Sequence, residues 1–280
     1  MSTGPENIFF FPGSRGRRLL GVLFSPDPQH ARRTGIVYCH PFAEEQNMSH
    51  AVAAKACRAL SSAGYPVLRF DLSGCGDSEG TLDEVEVPSW LEDVRSAVEV
   101  IGRESGVSHV GLLGLRMGAG LAVLHAAHHA PDVPFLILWE PVLDFTRHIR
   151  QFLRRSIVSQ IVANATDKTS VERLERQISE LGRVDVIGYP VTRALFESFR
   201  AVGTEPMHMN PHCPSLVLSI SQMDKLTSRL LAYRDLQRSA GSPAVEFDHV
   251  QAEPFWDRYW RWECPEAIDR TVQWLKDKNG

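Results

Sequence analysis

The chain has 280 residues, 43% hydrophobic and 23% charged, which is enough apolar material to close a full core. A formal net charge of -4 gives no electrostatic ground for a nucleic-acid partner, and the basic runs at Arg15 to Arg18 and Arg154-Arg155 are short enough to be solvated surface. Five cysteines without C-x-x-C spacing argue against a disulfide framework or a zinc site, and no cationic start leads into an apolar run. The expectation is a cytoplasmic protein without a membrane span.

In chain order, the apolar runs at Ile8 to Phe11 and Leu19 to Phe24, split by Pro12-Gly13-Ser14-Arg15-Gly16, predict a hairpin. Thr34 to Cys39 reads as a buried strand, an alanine-rich helix is predicted from about Ser49 to Ala63, and Tyr65 to Phe70 forms the next strand. A helix from about Ser89 to Glu104 leads to Val110 to Ala122, which reads as a buried strand, a tight turn and a helix running on to about Ala130. Phe135 to Trp139 is a further buried strand. Strands and helices alternating at this spacing predict parallel pairing with right-handed crossovers.

After Glu140-Pro141 the pattern changes to charged, helical sequence over Ile149 to Leu181, then Gly188-Tyr189-Pro190 and a helix to about Val202. Strand character returns at Ser215 to Ile220 and at Val245 to Val250, the latter predicted toward a sheet edge, and a last helix covers about Pro265 to Lys276. The predicted division is a core of residues 1–141 and 213–280 with a helical cap insertion over 142–212.

These features resemble the α/β-hydrolase superfamily over nearly the whole chain. They include the element order, the Asp71 to Gly80 loop of D-x-x-G-x-G-x-S-x-G type, and the Gly114-x-Arg116-x-Gly118 frame at the strand-helix turn. The finer resemblance is to the exosortase A system-associated hydrolase 2 group. It is carried by His40-Pro41-Phe42-Ala43-Glu44-Glu45-Gln46-Asn47, Gly114-Leu115-Arg116-Met117-Gly118-Ala119, Trp139-Glu140-Pro141-Val142, Gly188-Tyr189-Pro190 and Pro254-Phe255-Trp256. The resemblance implies an α/β-hydrolase fold, with a mostly parallel central sheet flanked by helices and a helical cap; it does not by itself imply a reaction.

A hydrolase of this fold sets a serine in the turn, a histidine to take its proton and an acid to orient that histidine. Here the turn presents Arg116, whose guanidinium stays protonated and can neither attack a carbonyl nor accept a proton. Asp224 stands in the acid position after the strand ending at Ile220, whereas the loop where the histidine belongs reads Gln251-Ala252-Glu253-Pro254-Phe255-Trp256. His249 is the nearest candidate, on the strand face of Val245 and Phe247. With serine and histidine both replaced, the expectation is an Arg116 to Asp224 ion pair across the old site, or an anionic ligand held by Arg116 at a helix N-terminus. Pro41 donates no hydrogen bond, so an oxyanion would rely on the Phe42 and Met117 backbone N–H groups. Glu44 and Glu45 follow as an acidic pair in the loop, with either able to serve as a base for water.

His125, His128 and His129 have metal-site spacing but no accompanying carboxylate or cysteine, so no metal is predicted; nor is a cofactor, because Gly74-x-Gly76 lacks the third glycine of a dinucleotide fingerprint. Trp256, Trp260 and Trp262 are expected to pack the C-terminal region, with Phe255 on the pocket floor. Three functions stay open. One is a non-catalytic or divergent member binding a small anionic ligand, through Arg116, Met117, His40 and Phe42, in an exopolysaccharide or protein-sorting pathway. The second is a serine-free ester, thioester or amide hydrolase using Glu44, Glu45, His40 or His249, with Asp224. The third is a scaffold whose cap docks a protein partner.

Overall fold

A computed structural model describes residues 5–129, 132–162, 170–223, 225–241, 245–260 and 262–278. The chain begins with β1 (Glu6–Pro12) and β2 (Arg18–Phe24), the predicted antiparallel hairpin, with Phe10 opposite Leu20. It continues through β3 (Thr34–Cys39), α1 (Glu44–Ser62), β4 (Val67–Phe70), α2 (Val87–Ser105), β5 (His109–Leu115), α3 (Met117–His128) and β6 (Leu136–Trp139). Between β6 and the next strand of the main sheet lie α4 (Phe145–Val162), α5 (Val171–Leu181), β7 (Arg183–Val186), β8 (Tyr189–Thr192), α6 (Arg193–Val202) and the short α7 (Glu205–His208). The chain closes with β9 (Ser215–Ser221), α8 (Ser228–Ser239), β10 (Val245–Gln251) and α9 (Pro265–Lys278).

Eight strands form one sheet in the order β1-β2-β4-β3-β5-β6-β9-β10. β1 and β2 are antiparallel to their neighbours, and the six strands from β4 to β10 run parallel. This is the α/β-hydrolase arrangement the sequence implied. The central parallel strands β3, β5 and β6 are apolar on both faces because helices cover both, whereas the edge strand β10 carries Glu246, Asp248 and His249. On one face Trp90, Val94, Ala97 and Ile101 of α2 recur at helical spacing and pack with Val37, Leu68 and Leu112; on the other, Ala53, Cys57 and Leu60 of α1 meet Ile36, Tyr38 and Leu113. Trp90 also donates its indole N–H to the Ser73 carbonyl at 3.0 Å, so its one polar atom is satisfied in the core.

Two sequence expectations change here. α1 starts at Glu44 rather than near Ser49, so Glu44 and Glu45 occupy the first helical turn, where the helix dipole favours carboxylates, and not a loop. The segment around Gly188 is a β-hairpin, with Val184 opposite Val191; its four-residue strands are too short to show alternation in the sequence. Among the described residues no helix is long and apolar enough to cross a membrane.

Candidate functional site

The site forms where β3, β5 and β6 end. Each of these strands is followed by a non-glycine residue at positive φ: Ala43 (53°), Arg116 (55°) and Glu140 (40°). Such strain persists only where the surroundings impose it, and it collects at functional sites. At Arg116 the surroundings are explicit: its N–H donates to the Trp139 carbonyl at 3.0 Å, and its carbonyl accepts from Ala119 at 3.1 Å and Val142 at 3.0 Å. The flanking glycines are steric requirements, since a Cβ on Gly118 would strike the Cys39 carbonyl and one on Gly114 the backbone of Ala119. The strand-turn-helix is therefore the tight elbow read from the sequence, and it turns an arginine upward.

The Arg116 side chain is gripped from three directions. Its Nε donates to Glu45 Oε2 at 3.3 Å and its Nη2 to Glu45 Oε1 at 3.4 Å, a paired fork, while Nη1 reaches the Glu140 carbonyl at 3.5 Å. The guanidinium also lies over the Trp256 ring, 5.4 Å from its centroid. Burial acts to raise the Glu45 carboxyl, but Arg116, through its charge and its hydrogen bonds, together with the neighbouring His148 and Arg155, outweighs it and holds the group below the usual carboxylate range. Arg155, on α4, joins the same network through Glu44 at 3.0 Å, Asp257 at 3.5 Å and Glu45 at 3.7 Å.

Beside the elbow lies His148 of α4, 6% exposed, whose buried Nε2 has no hydrogen-bond partner among the described residues. Burial pushes its imidazole down to about 4, against the attraction of Glu45 and with repulsion from Arg116 and Arg155, so the ring is neutral at pH 7. His148 lines two cavities that share Arg116. One, of about 140 Å³, is bounded by Phe42, Glu45, Arg155 and Trp256; the other, of about 260 Å³, opens toward Arg147 and Arg229. No feature of the sequence singled out His148, because one histidine on an amphipathic helix has no partner nearby in sequence.

The remaining expected site residues are dispersed. Asp224 lies outside the described residues; among the described residues, the carboxylate that grips Arg116 is Glu45. His40 does not reach the elbow cavities: it is buried, donates from Nδ1 to the Pro41 carbonyl at 2.7 Å and accepts at Nε2 from the Leu72 N–H at 3.0 Å, which fixes its tautomer and occupies both nitrogens. Burial lowers its basicity further. His249 stays within β10, with Nε2 3.3 Å from Ser221 Oγ, and lines neither cavity. Glu44 sits at the rim on Arg155 and Tyr259, Met117 is fully buried, and Phe42 packs edge-on against Phe152 at 5.0 Å and Phe199 at 5.3 Å.

Glu140, read from the sequence as part of the Trp139-Glu140-Pro141-Val142 motif and without a site role, accepts from the Ile220 N–H at 2.8 Å and the Ser219 hydroxyl at 3.3 Å, while burial raises its carboxyl. Phe255 is enclosed against Trp139 and so is not the pocket floor; Trp256 is the aromatic that reaches the cavity. Trp260 and Trp262 are exposed, at 69% and 62%, contrary to the packing expected of them. Among the described residues no group of three His, Cys, Asp or Glu is arranged to hold a metal ion.

The family model described as "Serine aminopeptidase, S33" matches residues 30–251. The chain belongs to this α/β-hydrolase family. Among curated proteins it is similar to the mitochondrial palmitoyl-protein thioesterase ABHD10 of Rattus norvegicus, 32% identical over 102 residues, which are 36% of this chain and 32% of that protein. It is also similar to human protein ABHD12B, 33% identical over 141 residues, covering 42% of this chain and 36% of that protein. The alignments thus span about a third of these relatives' length. Among solved structures, Est1E of Butyrivibrio proteoclasticus with ferulic acid bound superposes with a TM-score of 0.65 at 15% identity, over 96% of each chain. Mouse ABHD10 superposes with a TM-score of 0.61 at 18% identity, over 97% of each chain. At these identities the likeness speaks for the fold. The family is named for a serine, and this chain holds Arg116 at the elbow.

Proposed function

We propose that this chain uses the hydrolase fold to hold a small anionic molecule at the elbow, without forming an acyl-enzyme. The observation that carries the reading is Arg116 at the elbow position, a permanent cation at the N-terminus of α3 with its rear edge fixed by Glu45 and Trp256. Fixing that edge costs the guanidinium its freedom before any ligand arrives, which is how a binding cation is preorganised. The resemblance to the exosortase A-associated group, carried by motifs alone, adds an exopolysaccharide or protein-sorting setting in the cytoplasm.

Serine-free hydrolysis has less support. A general base works best with a pKa near the operating pH, but Glu45 is held low by two arginines and His148 lies near 4. His40 has both nitrogens engaged and His249 lies off the cavities.

The relative named as a palmitoyl-protein thioesterase makes thioesters the first substrates to test. Purified protein, offered a panel of short- and medium-chain esters, thioesters and lactones beside Arg116→Ala, is expected to give no turnover above background. Turnover in the wild type that disappears in Arg116→Ala would overturn the reading.

A further inference from the structure

The larger cavity beside Arg116 has a composition that neither the family nor the elbow motif accounts for. Three helices begin on its wall: α3 at Arg116, α4 just after Asp144, and α8 after Thr227. Helix starts carry positive dipole ends, and the residues that open these three line one space of about 260 Å³, with the Leu230 N–H of α8 capped by Thr227 and the Arg147 N–H of α4 by Asp144. Three guanidinium groups line the same space, from Arg116, Arg147 and Arg229.

Arg116 is matched by Glu45, but among the described residues neither Arg147 nor Arg229 is held in an ion pair. Burial and the nearness of Arg147 and Arg116 destabilise the charge on Arg229, and Asp144 opposes them. The Asp144 and Glu140 carboxyl groups share this wall; Asp144 accepts from the Arg147 backbone N–H at 2.8 Å, and Glu140 from the Ile220 N–H and the Ser219 hydroxyl. Independently of the helix ends, His148 also lines this space, and among the described residues its buried Nε2 has no hydrogen-bond partner.

From this convergence we infer that the cavity is a phosphoryl site: the ligand is a small phosphomonoester whose three terminal oxygens are divided among Arg116, Arg147 and Arg229, with His148 on a bridging or terminal oxygen. A carboxylate offers two oxygens and a single charge and leaves part of this donor set unused, whereas a phosphomonoester offers three oxygens and nearly two charges. The inference rests on the anion-binding reading of the elbow and names the ligand's chemical class.

Isothermal titration calorimetry at neutral pH, with phenyl phosphate and benzoate as matched probes, tests it. Wild-type protein should bind phenyl phosphate at least about tenfold more tightly than benzoate. The double variant Arg147→Gln with Arg229→Gln, confirmed folded by circular dichroism, should lose that preference while still binding benzoate through Arg116. Equal affinity for the two probes in the wild type, or an unchanged preference in the double variant, overturns the phosphoryl site and leaves anion binding at the elbow standing. Failure of both probes to bind overturns the elbow reading together with this one.

Discussion

Arg116 and Glu45 meet fork to fork across 71 residues of sequence, with Nε to Oε2 at 3.3 Å and Nη2 to Oε1 at 3.4 Å. The side chains are 19% and 8% exposed, so the pair is largely withdrawn from water. Two consequences follow for stability, because removing one partner from a buried ion pair leaves the other charge uncompensated.

Arg116→Ala is expected to lower unfolding stability by about 3 kcal/mol, near the low end for such pairs because Arg155 still faces Glu45 at 3.7 Å. Glu45→Gln in the Arg116→Ala background should recover part of that loss. Urea denaturation of the two single variants and the double variant, read as a double-mutant cycle, measures the coupling.

Stability should fall as the medium is acidified from pH 7 to pH 4. His148 is neutral in the folded protein down to about 4, whereas in the unfolded chain a histidine takes up a proton near 6.5. Between those values the unfolded state binds more protons, so acid favours unfolding, by on the order of 3 kcal/mol for this group across the window. Glu45 acts in the same sense at lower pH: its folded carboxyl is held down, and its contribution is lost as pH falls below the unfolded carboxylate value. His125, pushed down to about 3 by burial and by its histidine neighbours, adds to the slope. Replacing His148 by Asn should flatten the pH dependence of the urea midpoint above pH 4 without removing it.

Phe42 ties β3 to the helices that follow β6. Its ring lies against Trp90 at 5.9 Å, Phe152 at 5.0 Å and Phe199 at 5.3 Å, and it is 2% exposed. Phe42→Ala should cost about 3–5 kcal/mol and open the space beside His148, visible as a lower midpoint and as binding of a hydrophobic dye.

Arg116→Ser puts a serine on the elbow but supplies no effective base, since burial holds the neighbouring His148 down to about 4. His40 is locked by two hydrogen bonds, and His249 lies off both elbow cavities, so this variant is expected to show no esterase activity on activated esters. Burst kinetics with an activated ester would reveal an unexpected proton acceptor.

The fold was legible because the central parallel strands are apolar runs of the right length between glycine-rich or proline-bearing turns, as at Thr34 to Cys39 and Phe135 to Trp139, and the elbow because its glycines are sterically compelled. The charge partner of Arg116 was less accessible. Glu45 was visible as an acid near the pocket, but its place on the first turn of α1 depends on Ala43 adopting a positive φ, which a sequence does not announce for alanine. His148, Arg147 and Arg229 come from helices far apart in the chain, and only the packing of α4 and α8 brings them to one wall. The aromatics near the end illustrate the opposite error: Trp256 is buried and Trp260 and Trp262 are not, although all three look alike in composition.

The central claim is that the elbow arginine binds an anion. Calorimetric titration of phenyl phosphate into wild-type protein and into folded Arg116→Ala tests it most directly. The account predicts saturable, one-site binding in the wild type and at least about a tenfold loss in the variant, the scale of one charge-assisted fork. Binding of equal strength in both proteins, or none in either, would contradict it.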